Sequence, residues 1–211
     1  MWAGMIRIFA ALAFVFLVIQ TALAAPVTLL ALGDSLTAGL GLEIPEAFPA
    51  RLEAALKAKG FDVRIVNAGV SGDTAAAGLA RLDWALSDDV GGLIVELGAN
   101  DALRGLDPAQ TEAALDAILA EAAARKLPVL VAGMQAPPNL GPDYAAAFDA
   151  IYPRLAKKHG AILYPFFLDG VAAQPSLNQA DGIHPNGKGV DIIVERIMPS
   201  VEGLIRRAAL N

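Results

Sequence analysis

No cysteine occurs among the 211 residues of this chain. Disulfides, thiolate metal sites and a cysteine nucleophile are therefore excluded, and the fold must stand on its packed core alone. Histidine is almost as scarce, with only His159 and His184, and two imidazoles do not support a histidine-rich zinc centre. Basic residues are the minority: 16 Lys and Arg face 22 Asp and Glu, for a net charge of −6. An acidic surface repels phosphate backbones, so nucleic acid is not an expected partner. Phosphate-cradling loops are missing as well. Gly39-Leu40-Gly41 lacks the third glycine of a dinucleotide fingerprint, and no Gly-Lys-Ser/Thr string occurs.

A run long enough to span a membrane is also lacking. The longest apolar stretch, Ile8 to Ile19, covers 12 residues, against the roughly 20 that a spanning helix needs. It follows Met1 to Arg7, which carry a single positive charge, and precedes the small residues of Ala22-Leu23-Ala24. That is the layout of a secretory signal peptide, cut between Ala24 and Ala25; a cut one residue later would leave Pro26 beside the scissile bond. The expected product is residues 25–211, one domain, periplasmic or secreted, with no membrane anchor once the leader is gone. Its length can bury a sizeable core. Arg7 is the only charged residue lost with the leader, so the exported chain is slightly more acidic still.

After residue 25 there is no internal repeat, low-complexity tract or linker. Short apolar runs alternate with amphipathic segments. Strands are predicted at Val27–Leu32, Val63–Val66, Leu93–Leu97, Val129–Val131 and Ile162–Tyr164. Helices are predicted at Phe48–Lys59, Thr74–Leu86, from Asp107-Pro108 through Ala122, at Tyr144–Lys158 with a bend at Pro153, and from Gly187 towards Ala208 with a kink at Pro199. Strands that are apolar throughout and separated by helices imply an α/β fold, a parallel sheet covered on both faces. Sites in such sheets form beyond the carboxyl ends of the strands.

Four short strings fall in such positions or in loops: Gly33-Asp34-Ser35-Leu36, Ser71-Gly72-Asp73-Thr74, Gly98-Ala99-Asn100-Asp101 and Asp181-Gly182-Ile183-His184-Pro185. Taken singly, each has a plain structural reading: Ser35 a helix cap, Gly72 a turn glycine, Asn100 a cap, His184 a solvated loop residue. Taken together they supply the parts of acyl transfer. A serine hydroxyl needs a neighbouring base to take its proton. Asp181 and His184, three apart in a turn-rich loop, can orient one imidazole nitrogen while the other faces Ser35. The backbone N–H groups of Ser35 and Gly72 and the Asn100 side-chain amide are candidate oxyanion donors. Asp34, Asp73 and Asp101 are assigned to loop hydrogen bonding. His159, at a helix end, is assigned to a favourable contact with the helix dipole.

With these residues in view, the chain resembles the SGNH (GDSL-type) hydrolases, and within them the bacterial periplasmic thioesterase, arylesterase and lysophospholipase group. The likeness spans the whole mature chain. Besides the four strings it includes Gly-Leu-Ala-Arg-Leu at 78–82, Val-Glu-Leu-Gly at 95–98, Leu-Arg-Gly at 103–105, Ala-Ile-Tyr-Pro at 150–153, Pro-Phe-Phe at 165–167 and Asp-Gly-Ile-His-Pro-Asn at 181–186. The resemblance implies a flavodoxin-like α/β/α sandwich around a five-stranded parallel sheet. It also implies hydrolysis of esters and thioesters through an acyl-serine, without metal or cofactor. By position it puts the catalytic triad on Ser35, Asp181 and His184 and the oxyanion hole on Ser35, Gly72 and Asn100. The substrate-facing loops correspond to Ala102–Leu106 and Met134–Leu140, so Leu103, Met134 and Pro137 are the expected substrate-binding residues. The second loop is shorter and richer in proline than in the best-known thioesterase members. Prolines stiffen a loop, which points to a rigid pocket and a bias towards short acyl or aryl esters.

The expected partner is thus a small-molecule ester or thioester, and a monomer is the favoured state. Two other readings compete. A carbohydrate O-acetyl esterase would use the same machinery in a shallower, more polar cleft, whereas Phe166, Phe167 and the proline-rich loop point to an apolar pocket. A lipid-binding domain without turnover would have little use for all five catalytic parts.

Overall fold

The computed structural model describes residues 26–210. The expected leader and its cleavage position lie outside these residues. Five strands form one parallel sheet: β1 (Val27–Gly33), β2 (Val63–Gly69), β3 (Val90–Glu96), β4 (Val129–Ala132) and β5 (Ile162–Tyr164), in the order β2-β1-β3-β4-β5. β1, β3 and β4 are buried along almost their whole length, as strands covered on both faces must be, while edge strand β2 carries exposed polar positions. β3 begins three residues before the apolar run, because Val90 and Gly92 already pair with Thr28 and Leu29 of β1. Among the described residues no helix is long and apolar enough to cross a membrane.

Nine helices connect and cover the sheet among the described residues. They are α1 (Ser35–Ala38), α2 (Phe48–Ala58), α3 (Ala75–Ala80), α4 (Leu82–Ala85), α5 (Ala99–Leu103), α6 (Pro108–Ala124), α7 (Pro142–Asp149), α8 (Ile151–His159) and α9 (Gly187–Ala208). One layer pairs α2 with α9; the other packs α6 against α3, α7 and α8. The α9 stripe Val190, Ile193, Val194, Ile197, Val201, Leu204 and Ile205 is buried at helical spacing, and the helix runs on through Pro199. Phe48, Phe148, Tyr152 and Phe167 are the largest fully buried side chains, with Phe48 edge-on to Phe167 at 5.0 Å.

Two predicted helices are each split in two. The segment expected at 74–86 breaks at Arg81, whose backbone leaves helical geometry (φ −110°, ψ 2°). There the side chain turns back to the Asp73 carboxylate and the Gly33 carbonyl. The segment expected at 144–158 breaks at Ala150 rather than bending at Pro153. Pro153 is the third residue of α8, where a backbone N–H has no intrahelical acceptor to lose, so the ring fits without a bend. The short helices α1 and α5 were not predicted, since one turn is too brief to show a period.

The chain leaves β1 to form the edge strand β2 on one side of it, then crosses to form β3 on its other side. The loops after β1 and β3 therefore diverge, and they open a crevice at the carboxyl edge of the sheet.

Candidate active site

Ser35 stands in that crevice, one residue past the turn that ends β1, as the first residue of α1. Asp34 caps the helix by accepting from the Leu36 N–H at 2.9 Å. The cap belongs to Asp34, which frees the Ser35 hydroxyl: Oγ lies 2.9 Å from His184 Nε2. His184 Nδ1 lies 2.6 Å from Asp181 Oδ2. With the Nδ1 proton directed at Asp181, Nε2 is left unprotonated towards the serine. The other Asp181 oxygen accepts the backbone N–H groups of Ile183 and His184, each at 3.0 Å. These bonds, with the imidazole contact, hold the Asp181 carboxyl down at about 2.

The candidate donors meet at the same place. The Ser35 N–H opens α1, where the helix supplies no acceptor. Gly72 adopts a left-handed conformation (φ +88°), and the space beside it is open, the nearest atom being an Arg104 Nη2 that donates to the Gly72 carbonyl. Asn100 Nδ2 is less free than its residue type suggests. It donates to Asp34 Oδ2 at 2.9 Å and to the Asp73 carbonyl at 3.0 Å, so service to an oxyanion requires one of these bonds to be released.

Ser35, Gly72, Asn100, Leu103, Met134, Pro137 and His184 all line one half-open cavity of about 550 Å³. Its other walls include Ala136, Pro138, Phe166, Leu168 and Ala172, and the exposed side chains of Leu40, Leu103 and Ile183 border it. Among the described residues, Asp34 and His184 are the only titratable side chains lining it, and no group of three His, Asp or Glu could hold a metal. Two expectations need correcting. Phe167 is not in the cavity: in the turn that follows β5 it is buried in the core edge-on to Phe48, while Phe166 lines the cavity wall. The substrate-facing segment after Asn100 begins as helix α5, and of Ala102–Leu106 only Leu103 reaches the cavity.

The loop aspartates have distinct duties. Asp73 pairs with Arg81. Asp101 accepts from the Ala75 N–H at the start of α3 and from Thr111 Oγ1 of α6, a buried link between the two helices. His159 does sit in the last turn of α8, but its ring also contacts Asp116 of α6 at 2.6 Å, away from the cavity. Three further contributors were given no role by the sequence, although Arg81 and Glu96 fall inside strings that carry the resemblance. Gln179 Nε2 bridges the Leu40 and Pro185 carbonyls, Arg81 ties Gly33 to Asp73, and Glu96 lies beneath Asp34. Each makes at least one contact far along the chain, Arg81 to Gly33, Gln179 to Leu40 and Glu96 to Asp34, that no local pattern records.

Comparison with known proteins shows the family. The sequence pattern of the GDSL-like lipase/acylhydrolase family matches residues 31–192. The chain is 43% identical over 190 residues to a Pseudomonas aeruginosa protein named esterase TesA, covering 90% of this chain and 94% of that protein. It is 42% identical over 196 residues to thioesterase 1/protease 1/lysophospholipase L1 of Escherichia coli, covering 92% and 93% respectively. Among solved structures it resembles AlinE4, described as an SGNH-hydrolase family esterase, with a TM-score of 0.73 and 49% identity over 86% of this chain and 98% of that one.

Proposed function

The chain belongs to the GDSL-like lipase/acylhydrolase family and is an ester hydrolase of the SGNH type; on that premise we propose that it is an exported serine hydrolase acting through an acyl-serine. The observation that carries this reading is the unbroken line from Ser35 Oγ to His184 to Asp181, at 2.9 and 2.6 Å. Ser35 attacks the carbonyl carbon as its proton passes to His184 Nε2, and Asp181 steadies the imidazolium. The oxyanion is held by the N–H groups of Ser35 and Gly72. Asn100 contributes the N–H it otherwise gives to the Asp73 carbonyl, while its bond to Asp34 keeps the amide plane fixed. His184 then protonates the leaving alcohol or thiol. Water, activated by the same imidazole, releases the acid.

The substrate is a small carboxylic ester or thioester whose acyl or aryl group is apolar, which the cavity walls support. The cavity holds more than an acetyl group, so the favoured range runs from short acyl and aryl groups to medium chains, with Pro137 and Pro138 stiffening the wall that limits length. The same walls speak against a carbohydrate O-acetyl esterase, which would need polar partners for sugar hydroxyls. Residues 1–24 act as a cleaved leader, residues 25–211 form the catalytic domain, and the enzyme works outside the cytoplasm as a monomer.

A fluorophosphonate probe tests the nucleophile on the purified mature chain. Wild type is expected to be labelled and Ser35→Ala to be unlabelled, with kcat reduced on the order of 10⁶-fold. Label retained by the variant would end this reading. A panel of p-nitrophenyl esters from acetyl to dodecanoyl reports the acyl range.

A further inference from the structure

A second carboxyl group lies directly under the nucleophile turn. Glu96 ends β3 and is 0% exposed. Its Oε2 accepts from Thr37 Oγ1 at 2.8 Å and from the Asp34 N–H at 3.4 Å. Its Oε1 is buried with no partner. A Cβ at Gly33 would fall 2.7 Å from Oε2 and 2.1 Å from Thr37 Oγ1, so only glycine there admits the carboxyl group. The titratable groups around it are Asp34 in contact, Tyr152 from α8 and His184 beyond Asp34; Arg81, the basic side chain nearest this turn, is committed to Asp73 and the Gly33 carbonyl. A carboxylate with an orphaned oxygen and no cation in a dry site carries a large desolvation cost. A neutral acid does not, because its O–H supplies the donor that the site lacks.

The receiver is Asp34, whose backbone N–H already meets Glu96 Oε2 at 3.4 Å and whose carboxyl interacts with that of Glu96. Asp34 already accepts the Leu36 N–H on Oδ1 and the Asn100 amide on Oδ2. Those two bonds set the turn that presents Ser35 and the plane of an oxyanion donor.

We propose that Glu96 is a positioning residue working as a neutral carboxylic acid, its O–H donating to Asp34 so that Asp34 holds both the Ser35 turn and the Asn100 amide in place. One proton then serves two carboxyl groups, and the pair carries a single negative charge. Burial favours the same state, since it pushes Asp34 up to about 6 and Glu96 well above the usual carboxyl range. This role rests on the serine-hydrolase reading of the site.

Two variants and one spectrum test it, with Ser35→Ala as the control for that underlying reading. Glu96→Gln keeps a neutral donor and an acceptor of the same shape, whereas Glu96→Met keeps only the volume. Glu96→Gln is expected to stay within about threefold of wild-type kcat, and Glu96→Met to lose at least about thirtyfold with KM changed less than about threefold, part of what a lost oxyanion donor costs. A purely structural role would lower the melting temperature of Glu96→Met without this split. Infrared spectra at pH 8 are expected to show a protonated-carboxyl C=O stretch in wild type that is missing from Glu96→Gln. If Glu96→Met fails to fold, the spectrum and Glu96→Gln decide. The proposal is overturned if wild type lacks the band, if the band survives in Glu96→Gln, if Glu96→Gln falls as far as Glu96→Met, or if Glu96→Met keeps its kcat. Because the Ser35→Ala control reports on the nucleophile alone, each of those results leaves the hydrolase reading intact.

Discussion

Asp34 and Asp181 stand on opposite sides of one hydroxyl, and their surroundings drive them in opposite directions. Asp34 is 0% exposed and is pushed up to about 6, mainly by burial, although Leu36 N–H and Asn100 oppose the shift. Asp181, with its side chain 45% exposed, is held down at about 2 by the backbone and ring N–H groups of His184 and the N–H of Ile183. Both carboxyls accept hydrogen bonds, so donors alone do not decide the outcome. Water does: where it is excluded, desolvation outweighs two donors, and where it is present, three donors win. The nucleophile side is consequently a dry, rigid part of the sheet edge, and the base side is a solvated loop tethered by a few side-chain amides. Gln179 joins it to the Ser35 side through Leu40, Asn178 ties it to Val171 and Gln174, and Asn186 ties it to Ser176.

The sharpest way to break this contrast is Asp181→Asn. The expected loss in kcat is on the order of 10⁴, because the amide favours the wrong tautomer of His184. The melting temperature should stay within about 2 °C of wild type, as for a substitution at a solvated position. A large fall in thermal stability would show that the base loop is part of the core framework. Gln179→Ala comes next. Cutting the tether between the two sides is expected to lower kcat about 10- to 100-fold with little change in KM, since small misplacements of a base are costly. Steady-state kinetics unaffected by this change would mean that the other ties hold the loop.

The pH dependence of stability is expected to separate the two sides as well. The folded Asp34 carboxyl ionises at about 6, above its ordinary value of 3.8, so between these limits the unfolded chain has given up a proton that the folded chain keeps. Stability from this group therefore falls as pH rises through that window, and Glu96 extends the decline upward. Asp181 does the reverse: its contribution is complete above 3.8 and is lost only as pH falls towards about 2. Wild type is thus expected to lose at least about 3 °C more in melting temperature between pH 4 and pH 8 than Glu96→Gln does, a difference readable by calorimetry. Equal slopes would mean that Glu96 keeps no extra proton in the folded chain over this range. The smallest effect is expected at Ala173, which feeds the base loop in a left-handed conformation (φ 58°). Ala173→Gly relieves about 1 kcal/mol of backbone strain but loosens the unfolded chain, so a rise of under about 2 °C is expected.

Much of the architecture was legible beforehand for physical reasons. Fully apolar strands such as Leu29–Leu32 and Leu93–Val95 have to be covered on both faces, and the stripe of α9 repeats often enough to reveal its period. Single-turn helices such as α1 and α5 carry no period. The break at Arg81 depends on a partner, Asp73, whose approach is settled only after folding. At the site, the types of Ser35, His184, Asp181, Gly72 and Asn100 were informative because acyl transfer uses few functional groups. The engagement of Asn100 by Asp34 was not visible, since it joins residues 66 positions apart. Phe166 and Phe167 were indistinguishable as letters; the turn after β5 sends one to the cavity and the other to the core.

The amino-acid order by itself determined the strand succession and the longer helices α2, α6 and α9, the absence of thiol chemistry and the inventory of groups from which a hydrolytic site can be assembled. These follow from local preferences and from composition, which need no knowledge of distant neighbours. Only the tertiary structure decided that the hydroxyl and the imidazole stand 2.9 Å apart, that two aspartates beside them titrate in opposite directions, and that a buried glutamate lies beneath the nucleophile. Distance, burial and local dielectric are properties of the packed chain, and they come into being when segments remote in sequence exclude water from between them.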